Sequence, residues 1–246
     1  MTFEKFENLN GHVAVITGAN GGIGRAICRR LSKLGATIHG IVRSKQQELQ
    51  EFLDQLGPGH KSILGDVTDS NRLDEIASHF PKCDLLINTA GKSKIIPHNN
   101  LIALSDAEFD DLIKTNLRSV YSTIRAFMPA LKASGRALVI NISSASSIRT
   151  GGSNVAYAAS KAGIDSLTRN FALAFAPDIR FIALNPSLID TGFIPITTER
   201  FEHLSKITPL KRITTVEDVA NAVEMFSTVM RFTTGNTFVI DGGVII

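Results

Sequence analysis

Two tyrosines occur in the 246 residues, and one of them, Tyr157, is followed four positions later by Lys161. On a helix that spacing puts both side chains on one face, one turn apart. A phenol titrates near pH ~10 and is a poor proton carrier at neutral pH, but an adjacent ammonium pulls that value down. Such a phenol gives a proton to a carbonyl oxygen as hydride arrives at carbon, and takes one from an alcohol in reverse. Ser144 closes the apolar run RALVINI and is placed to hydrogen-bond the same oxygen. The Tyr/Lys pair alone is also what a surface helix pair looks like, since the other tyrosine, Tyr121, has Arg125 in the same relation.

A second group of residues suits an anion. Thr17-Gly-Ala-Asn-Gly-Gly-Ile-Gly24 directly follows a β-branched run and opens a helical one. Gly18 allows a sharp turn, Gly22 allows a pyrophosphate to approach the backbone, and Gly24 allows the helix to pack close to a sheet; the helix N-terminus adds free N–H groups and positive dipole. A glycine cluster can be a tight turn and nothing more, but its place in a first strand–helix unit points to a dinucleotide. Sites that prefer NAD usually carry an acid at the end of the second strand, where this chain has Val42 followed by Arg43. Residues 8–47 hold Arg25, Arg29, Arg30, Lys33, Arg43 and Lys45 and no acid, whereas the other 206 residues sum to −3. Arg43 is therefore the candidate for a 2′-phosphate, and NADP(H) is expected over NAD(H). Arg29, Arg30 and Lys33 are read as solvated helix-face charges.

These residues need elements to hold them. Apolar runs at 12–17, 37–42, 62–64, 83–88, 136–142, 179–184 and 237–240 read as strands. Amphipathic segments at 22–34, 45–56, 69–80, 105–131, 154–176 and 215–229 read as helices. Gly35 serves as a C-cap signal, Ser105 and Asp106 as a start, and Thr215 with Asp218 as a capping box with Asp in place of Glu. The strands are apolar at consecutive positions, which predicts parallel strands covered on both faces. Alternating strands and helices predict right-handed crossovers and one α/β domain over 1–246, a Rossmann-type doubly wound parallel sheet of about seven strands.

Composition excludes several classes. The hydrophobic fraction is 43% and the formal net charge +3, too small an excess for a nucleic-acid or membrane-surface protein. Cys28 and Cys83 stand apart and the six histidines are scattered, so neither a disulfide framework nor a metal site is expected. The first residues carry no apolar leader and no run of about 18 apolar residues occurs, so the expected location is the cytoplasm, with no membrane partner.

The motifs TGANGGIG at 17–24, Asp66-Val67, NTAG at 88–91, Asn116, Ser144, Tyr157-Ala-Ala-Ser-Lys161, Asn185-Pro186 and Asp241-Gly-Gly243 agree in order and spacing with one family. Along nearly its whole length the chain resembles the classical short-chain dehydrogenases/reductases, and most of all their 3-oxoacyl-acyl-carrier-protein reductase branch. The resemblance implies roles. Tyr157 is the acid/base; Lys161 lowers its pKa and holds the nicotinamide ribose; Ser144 orients the carbonyl oxygen; Asn116 anchors the water of a proton relay. Gly18, Asn20, Gly22, Ile23 and Gly24 would contact the pyrophosphate and Asp66 and Val67 the adenine. Asn88, Ala90 and Gly91 would line the cleft, and Pro186, Ile189 and Thr191 would meet the nicotinamide end. Ser143, Ser144, Ser146 and Ser147 crowd together, so the choice of Ser144 rests on its thirteen-residue spacing to Tyr157.

Three departures bear on this. Gly21 stands where NADP-preferring members often have a basic residue, Thr89 replaces an Asn, and Ser187 replaces the glycine of Pro-Gly, where it is expected to narrow the substrate entrance. Residues 187–212 correspond to the family's variable substrate loop. Phe193, Ile194, Ile196, Phe201 and Leu204 predict an apolar lid suited to an uncharged ketone, a ring system or an acyl chain. The stretch 172–177 lacks the charge of the carrier-protein-dependent branch, so Phe171 and Phe175 are read as subunit-interface residues of a homotetramer or homodimer. Other readings to set against a carbonyl/alcohol oxidoreductase are an NAD(H)-linked dehydrogenase of another small alcohol and a non-catalytic dinucleotide sensor. A nucleotide-sugar epimerase is a further one, usually longer and with a different glycine spacing.

Overall fold

The computed structural model describes residues 8–193 and 197–245. Seven strands form one parallel sheet: β1 Val13–Thr17, β2 Thr37–Val42, β3 Lys61–Leu64, β4 Leu85–Asn88, β5 Ala137–Ile142, β6 Ile179–Pro186 and β7 Asn236–Ile240. Their order across the sheet is β3-β2-β1-β4-β5-β6-β7. The chain thus builds outward from β1 first to one side and then to the other. The order reverses between β1 and β4, where Thr17 pairs with Asn88. Open parallel sheets bind ligands outside the carboxyl ends of the strands at such a reversal.

Consecutive apolar residues on each strand feed two cores. Ala14, Ile16, Leu138, Ile140, Ile182 and Leu184 face a cluster that includes Leu31 and Phe226. The alternate residues Val15, Ala137, Val139, Ile179 and Phe181 face a second cluster around Ile124, Phe127 and Leu131. The first cluster lies under helices α1 (Gly22–Lys33) and α8 (Val216–Thr228), with α2 (Gln46–Asp54) at its edge. The second lies under α3 (Ser70–Ser78), α5 (Ser119–Ser134) and α6 (Val155–Phe175). Both cysteines are buried free thiols, and burial pushes the Cys28 thiol up to about 12.

The local signals work as expected at several helix ends. Thr215 and Asp218 form both halves of the capping box, at 3.2 and 2.8 Å. Ser105 caps α4 (Asp106–Ile113) by accepting from the Glu108 N–H. Two features depart from the sequence reading. The helix expected over 105–131 is three pieces, α4, a π turn at Lys114–Arg118, and α5. Residues 197–212, read only as a loop, contain a helix, α7 (Thr198–Ile207), started by the Thr197 side chain.

Candidate active site

Asn154 fixes the start of the helix that carries Tyr157 and Lys161. Its side-chain oxygen accepts from the Tyr157 N–H at 2.8 Å and its amide donates to the Lys94 carbonyl at 2.7 Å. Tyr157 and Lys161 then project from one face, with Lys161 Nζ 5.6 Å from the phenol ring centroid. Of the four crowded serines, Ser144 is the one hydrogen-bonded to the Tyr157 side chain. Ser143 Oγ donates to the Lys161 carbonyl, and Ser147 Oγ to Asp165 Oδ2 at 2.5 Å. Ser144 also accepts from the Ser146 N–H, which closes a short 3-10 turn after β5.

Burial sets the electrostatics. It pushes the Tyr157 phenol up, while the Ser144 hydrogen bond works the other way. The net direction is opposite to the one expected of a neighbouring ammonium, because desolvation of the phenolate outweighs the Ser144 hydrogen bond. Burial also lowers Lys161, to about 8, against the attraction of Asp165 one turn further along α6. The ammonium donates to the Ile142 carbonyl at 2.8 Å. Asp165 in turn accepts from Asn185 Nδ2 at 2.9 Å as well as from Ser147, so one carboxylate ties α6, the turn after β5 and the end of β6 together.

Asn116 sits in the π turn, fully buried. Its side chain accepts from the Lys92 N–H at 2.8 Å and donates to the Lys92 carbonyl and to Ser160 Oγ, the residue before Lys161. An extra residue in a helical turn displaces the backbone ladder locally, and such turns recur at functional sites. Here it brings Asn116 against the segment after β4, where a Cβ on Gly91 would stand 3.3 Å from Asn116 Oδ1.

The glycine turn lies on the other side of the same cleft. Gly18 has φ +64°, a backbone that other residues rarely adopt. A Cβ on Gly24 would lie 2.5 Å from the Gly18 carbonyl oxygen and 2.7 Å from Ala19 Cα. Both neighbours are backbone, so Gly24→Ala should cost about 2 kcal/mol through overpacking. A Tm fall of about 4–8 °C is the expected readout for a chain of this length. An unchanged Tm would show that the turn relaxes freely. Thr89 serves this turn: its hydroxyl donates to the Thr17 carbonyl at 2.5 Å, and Thr17 Oγ1 accepts from the Thr89 and Ala90 N–H groups.

A cavity of about 670 Å³ runs along these elements from Arg43, Asp66 and Val67 to Ser144, Tyr157 and Lys161. Gly18, Gly22, Ile23, Gly24, Ala90 and Gly91 line it, as do Pro186, Ile189 and Thr191. Three predicted site residues do not. Asn20 is turned away, accepting from Arg25 at 2.6 and 3.0 Å. Asn88 is buried under the cleft, donating to Asn141 Oδ1 at 2.9 Å. Asn116 stands behind the wall on Lys92 and Ser160. Asp66 works at the far end: burial opposes its charge, but the Thr68 hydrogen bonds and the Arg43 and Lys114 cations outweigh that and keep its pKa low.

Half of the charge excess of residues 8–47 is offset in space by three carboxylates. Arg25 pairs with Glu48, Arg29 and Arg30 with Glu217, Arg30 also with Glu224, and Lys45 with Glu48. Arg29 and Arg30 are thus paired across the α1–α8 contact rather than simply solvated. Arg43 makes no ion pair among the described residues and lines the cavity.

The substrate loop is more mixed than expected. Phe193 and Leu204 line the cavity, Phe201 is exposed away from it, and Ile194 and Ile196 lie outside the described residues. Ser187 lines it too, its hydroxyl held 2.7 Å from that of Thr214. Phe171 and Phe175 are half-buried and pack on Phe181, with ring centroids 5.7 and 6.0 Å apart. Lys92, Asp165, Arg149 and Arg200 were missed by the sequence reading, for no local pattern distinguishes them from surface charges. Among the described residues no cluster could hold a metal ion, and no helix is long and apolar enough to cross a membrane.

Residues 18–245 match a family profile described as enoyl-(acyl carrier protein) reductase. The 3-oxoacyl-[acyl-carrier-protein] reductase FabG of Escherichia coli (strain K12) is 32% identical, over 96% of this chain and 98% of that one. A 3-ketoacyl-(acyl-carrier-protein) reductase from Brucella melitensis complexed with NADH is 28% identical, with a TM-score of 0.87 over 97% of this chain and all of that one. A gluconate 5-dehydrogenase from Burkholderia cenocepacia J2315 in complex with NADP and tartrate is 26% identical, with a TM-score of 0.89 over 98% of each chain. The chain belongs to the short-chain dehydrogenase/reductase family. As a member it is a nicotinamide-dependent oxidoreductase acting between CH–OH and C=O groups.

Proposed function

We propose that the chain is an NADP(H)-dependent reductase of ketones, working in reverse on secondary alcohols, with Tyr157 as its acid/base. The observation that carries this reading is the convergence of Ser144, Tyr157 and Lys161 on one cavity with the glycine turn. The residues fit a dinucleotide. Cβ atoms at Gly18, Gly22 and Gly24 would meet neighbours within 2.9 Å, and no side chain caps the N–H groups at the start of α1, whose N-cap is Gly21. The nicotinamide, when bound, supplies the hydride to a carbonyl carbon or takes it from an alcohol. Tyr157 gives a proton to the carbonyl oxygen and Ser144 donates a hydrogen bond to it. Lys161 holds the ribose hydroxyls and, as an ammonium, favours the phenolate left behind; Asn116 props the segment through which a proton returns. A binding module needs no acid/base, so the set of Asn116, Ser144, Tyr157 and Lys161 argues against a dinucleotide sensor.

Relatives bind both NADP and NADH, so similarity does not choose the cofactor. Arg43 supports NADP: it follows β2, lines the cavity, and has no acid at the preceding position to compete for the ribose. Arg43→Ala should weaken NADPH by about 30-fold, as expected when a charge-assisted bond to phosphate is lost. NADH should change less than threefold. Equal losses for both would remove Arg43 from this role.

A panel of ketones and alcohols with both dinucleotides tests the activity, and 3-oxoacyl thioesters head the panel given the ketoacyl reductases among the relatives. The same proposal treats residues 1–246 as one catalytic unit with 187–212 as its substrate loop. It places the protein in the cytoplasm as a homotetramer, for which the exposed Leu173 on α6 and Tyr121 on α5 offer apolar contact.

A further inference from the structure

We propose that the substrate end of the cavity is an anion subsite, in which Arg149 and Arg200 hold a carboxylate or phosphate of the carbonyl compound. This rests on the oxidoreductase reading. The charged residues lining the cavity are Arg43, Asp66, Lys92, Lys161, Arg149 and Arg200. Three of the cations have acidic company: Arg43 acts on Asp66, Lys92 pairs with Asp111, and Lys161 feels Asp165. Among the described residues Arg149 and Arg200 make no ion pair. The lone acid of the lining, Asp66, follows β3 at one edge of the sheet. Arg149 follows β5, and Arg200 stands on α7 between β6 and β7, across the reversal from it.

Both arginines line the cavity, Arg149 close in sequence to Ser144 and Arg200 on the helix of the substrate-loop segment. Arg149 leaves the turn that Ser144 begins, its N–H donating to the Ala145 carbonyl at 2.9 Å. Its guanidinium reaches the Val244 carbonyl at 3.4 Å, a long bond that leaves most of its donors to spare. Arg200 lies in the first turn of α7, and its backbone is held by Thr197. The acids near it in sequence do not answer it. Glu199 and Glu202 are one and two positions away and face other directions on a helix. Neither they nor Asp190 lines the cavity.

Ile95, Leu188, Phe193, Leu204, Ile213 and Val244 give the cavity an apolar wall, interrupted by the hydroxyls of Ser146, Thr150, Ser153, Ser187 and Thr208. Both arginines are exposed, and a guanidinium fork matches carboxylate and phosphate oxygens in pairs. The substrate class is therefore a carbonyl compound with an apolar body and an anionic end, in place of the uncharged ketone expected from the loop composition. The anion could be the substrate's own carboxylate or the phosphate of a carrier arm on a thioester.

The test measures binding as well as turnover. The dissociation constants of 5-oxohexanoate and its methyl ester are measured by calorimetry on the protein saturated with NADP⁺. Initial rates are compared for the 3-oxohexanoyl thioesters of coenzyme A and of uncharged N-acetylcysteamine. At least a tenfold preference for one anionic probe is expected. It should fall to within threefold in Arg149→Gln/Arg200→Gln and be partly kept in Arg149→Lys/Arg200→Lys, with Tm checked for each. Preference confined to the keto acid assigns a substrate carboxylate, and preference confined to the coenzyme A thioester assigns a carrier phosphate. The proposal is overturned by no preference for either anion in the wild type, or by a preference that survives in the Gln variant. It is equally overturned if that variant loses NADP⁺ affinity more than tenfold while keeping its selectivity, which would assign the arginines to the dinucleotide. Selective binding without turnover of any probe would sink the oxidoreductase reading and leave the anion subsite standing. Unselective turnover would do the reverse.

Discussion

Tyr157→Phe is expected to lower turnover by about 10³-fold or more, within the range that a positioned acid/base contributes, with dinucleotide affinity changed less than threefold. The substitution removes one oxygen and keeps the ring, so the packing around α6 is undisturbed. Ser144 stays in place, but an aliphatic hydroxyl is too weak an acid to replace a phenol. Burial raises the Tyr157 pKa, so at neutral pH the group is protonated and ready to donate. Carbonyl reduction should therefore hold a plateau through neutrality and fall as the phenol ionises in the alkaline range. Alcohol oxidation needs the phenolate and should rise over that same range. Steady-state rates in both directions between pH 6 and 11 check this; wild-type turnover by the Phe variant, or a reduction rate that climbs with pH, would remove Tyr157 from the role.

Lys161→Met should uncouple stability from activity. Turnover is expected to fall about 10³-fold, as for loss of an acid/base partner, because the phenolate loses its ammonium and the ribose its anchor. Stability should not fall with it. Burial depresses Lys161 from 10.5 to about 8, so at pH 7 the folded chain carries a destabilised ammonium worth about 3 kcal/mol. Methionine removes that cost and fills similar volume, while the Ile142 carbonyl loses its donor, a loss of about 1–3 kcal/mol. The net expectation at pH 7 is a stability unchanged or raised by up to about 2 kcal/mol. The sign follows from proton binding. Between about pH 8 and 10.5 the unfolded chain holds the Lys161 proton and the folded chain does not, so the stability of the wild type rises across that window. Below it the cost is fully present. Urea unfolding of both chains at pH 7 and pH 10 should show the wild type gaining on the variant as pH rises; a variant less stable by 2 kcal/mol at pH 7 would contradict the account.

Much of the site is local and legible for that reason. Lys161 lies four positions after Tyr157 on one helix, Gly24 answers to the close backbone of Gly18 and Ala19, and Thr215 with Asp218 closes its own capping box. Each is settled by neighbours within one or two turns. The strand runs were legible because a parallel strand covered on both faces must be apolar at every position, as β5 is from Ala137 to Ile142. Helix α7 escaped because its residues are mostly polar and none is buried, so no apolar stripe announced it. The π turn escaped because one extra residue in a helix barely alters the periodicity.

The sequence by itself determined the fold class, the phosphate turn and the Tyr157–Lys161 pair, since these rest on backbone conformation and short-range spacing. Only the tertiary structure decided which of four serines meets the phenol and that Glu48, Glu217 and Glu224 offset half of the basic window. It also decided that burial, rather than the neighbouring ammonium, governs the free Tyr157. Those outcomes depend on partners up to 194 positions apart and on how much water the fold excludes. Charge and proton affinity are properties of an environment, and the environment of Arg43, Arg149 or Lys161 exists only once the sheet has brought its loops together.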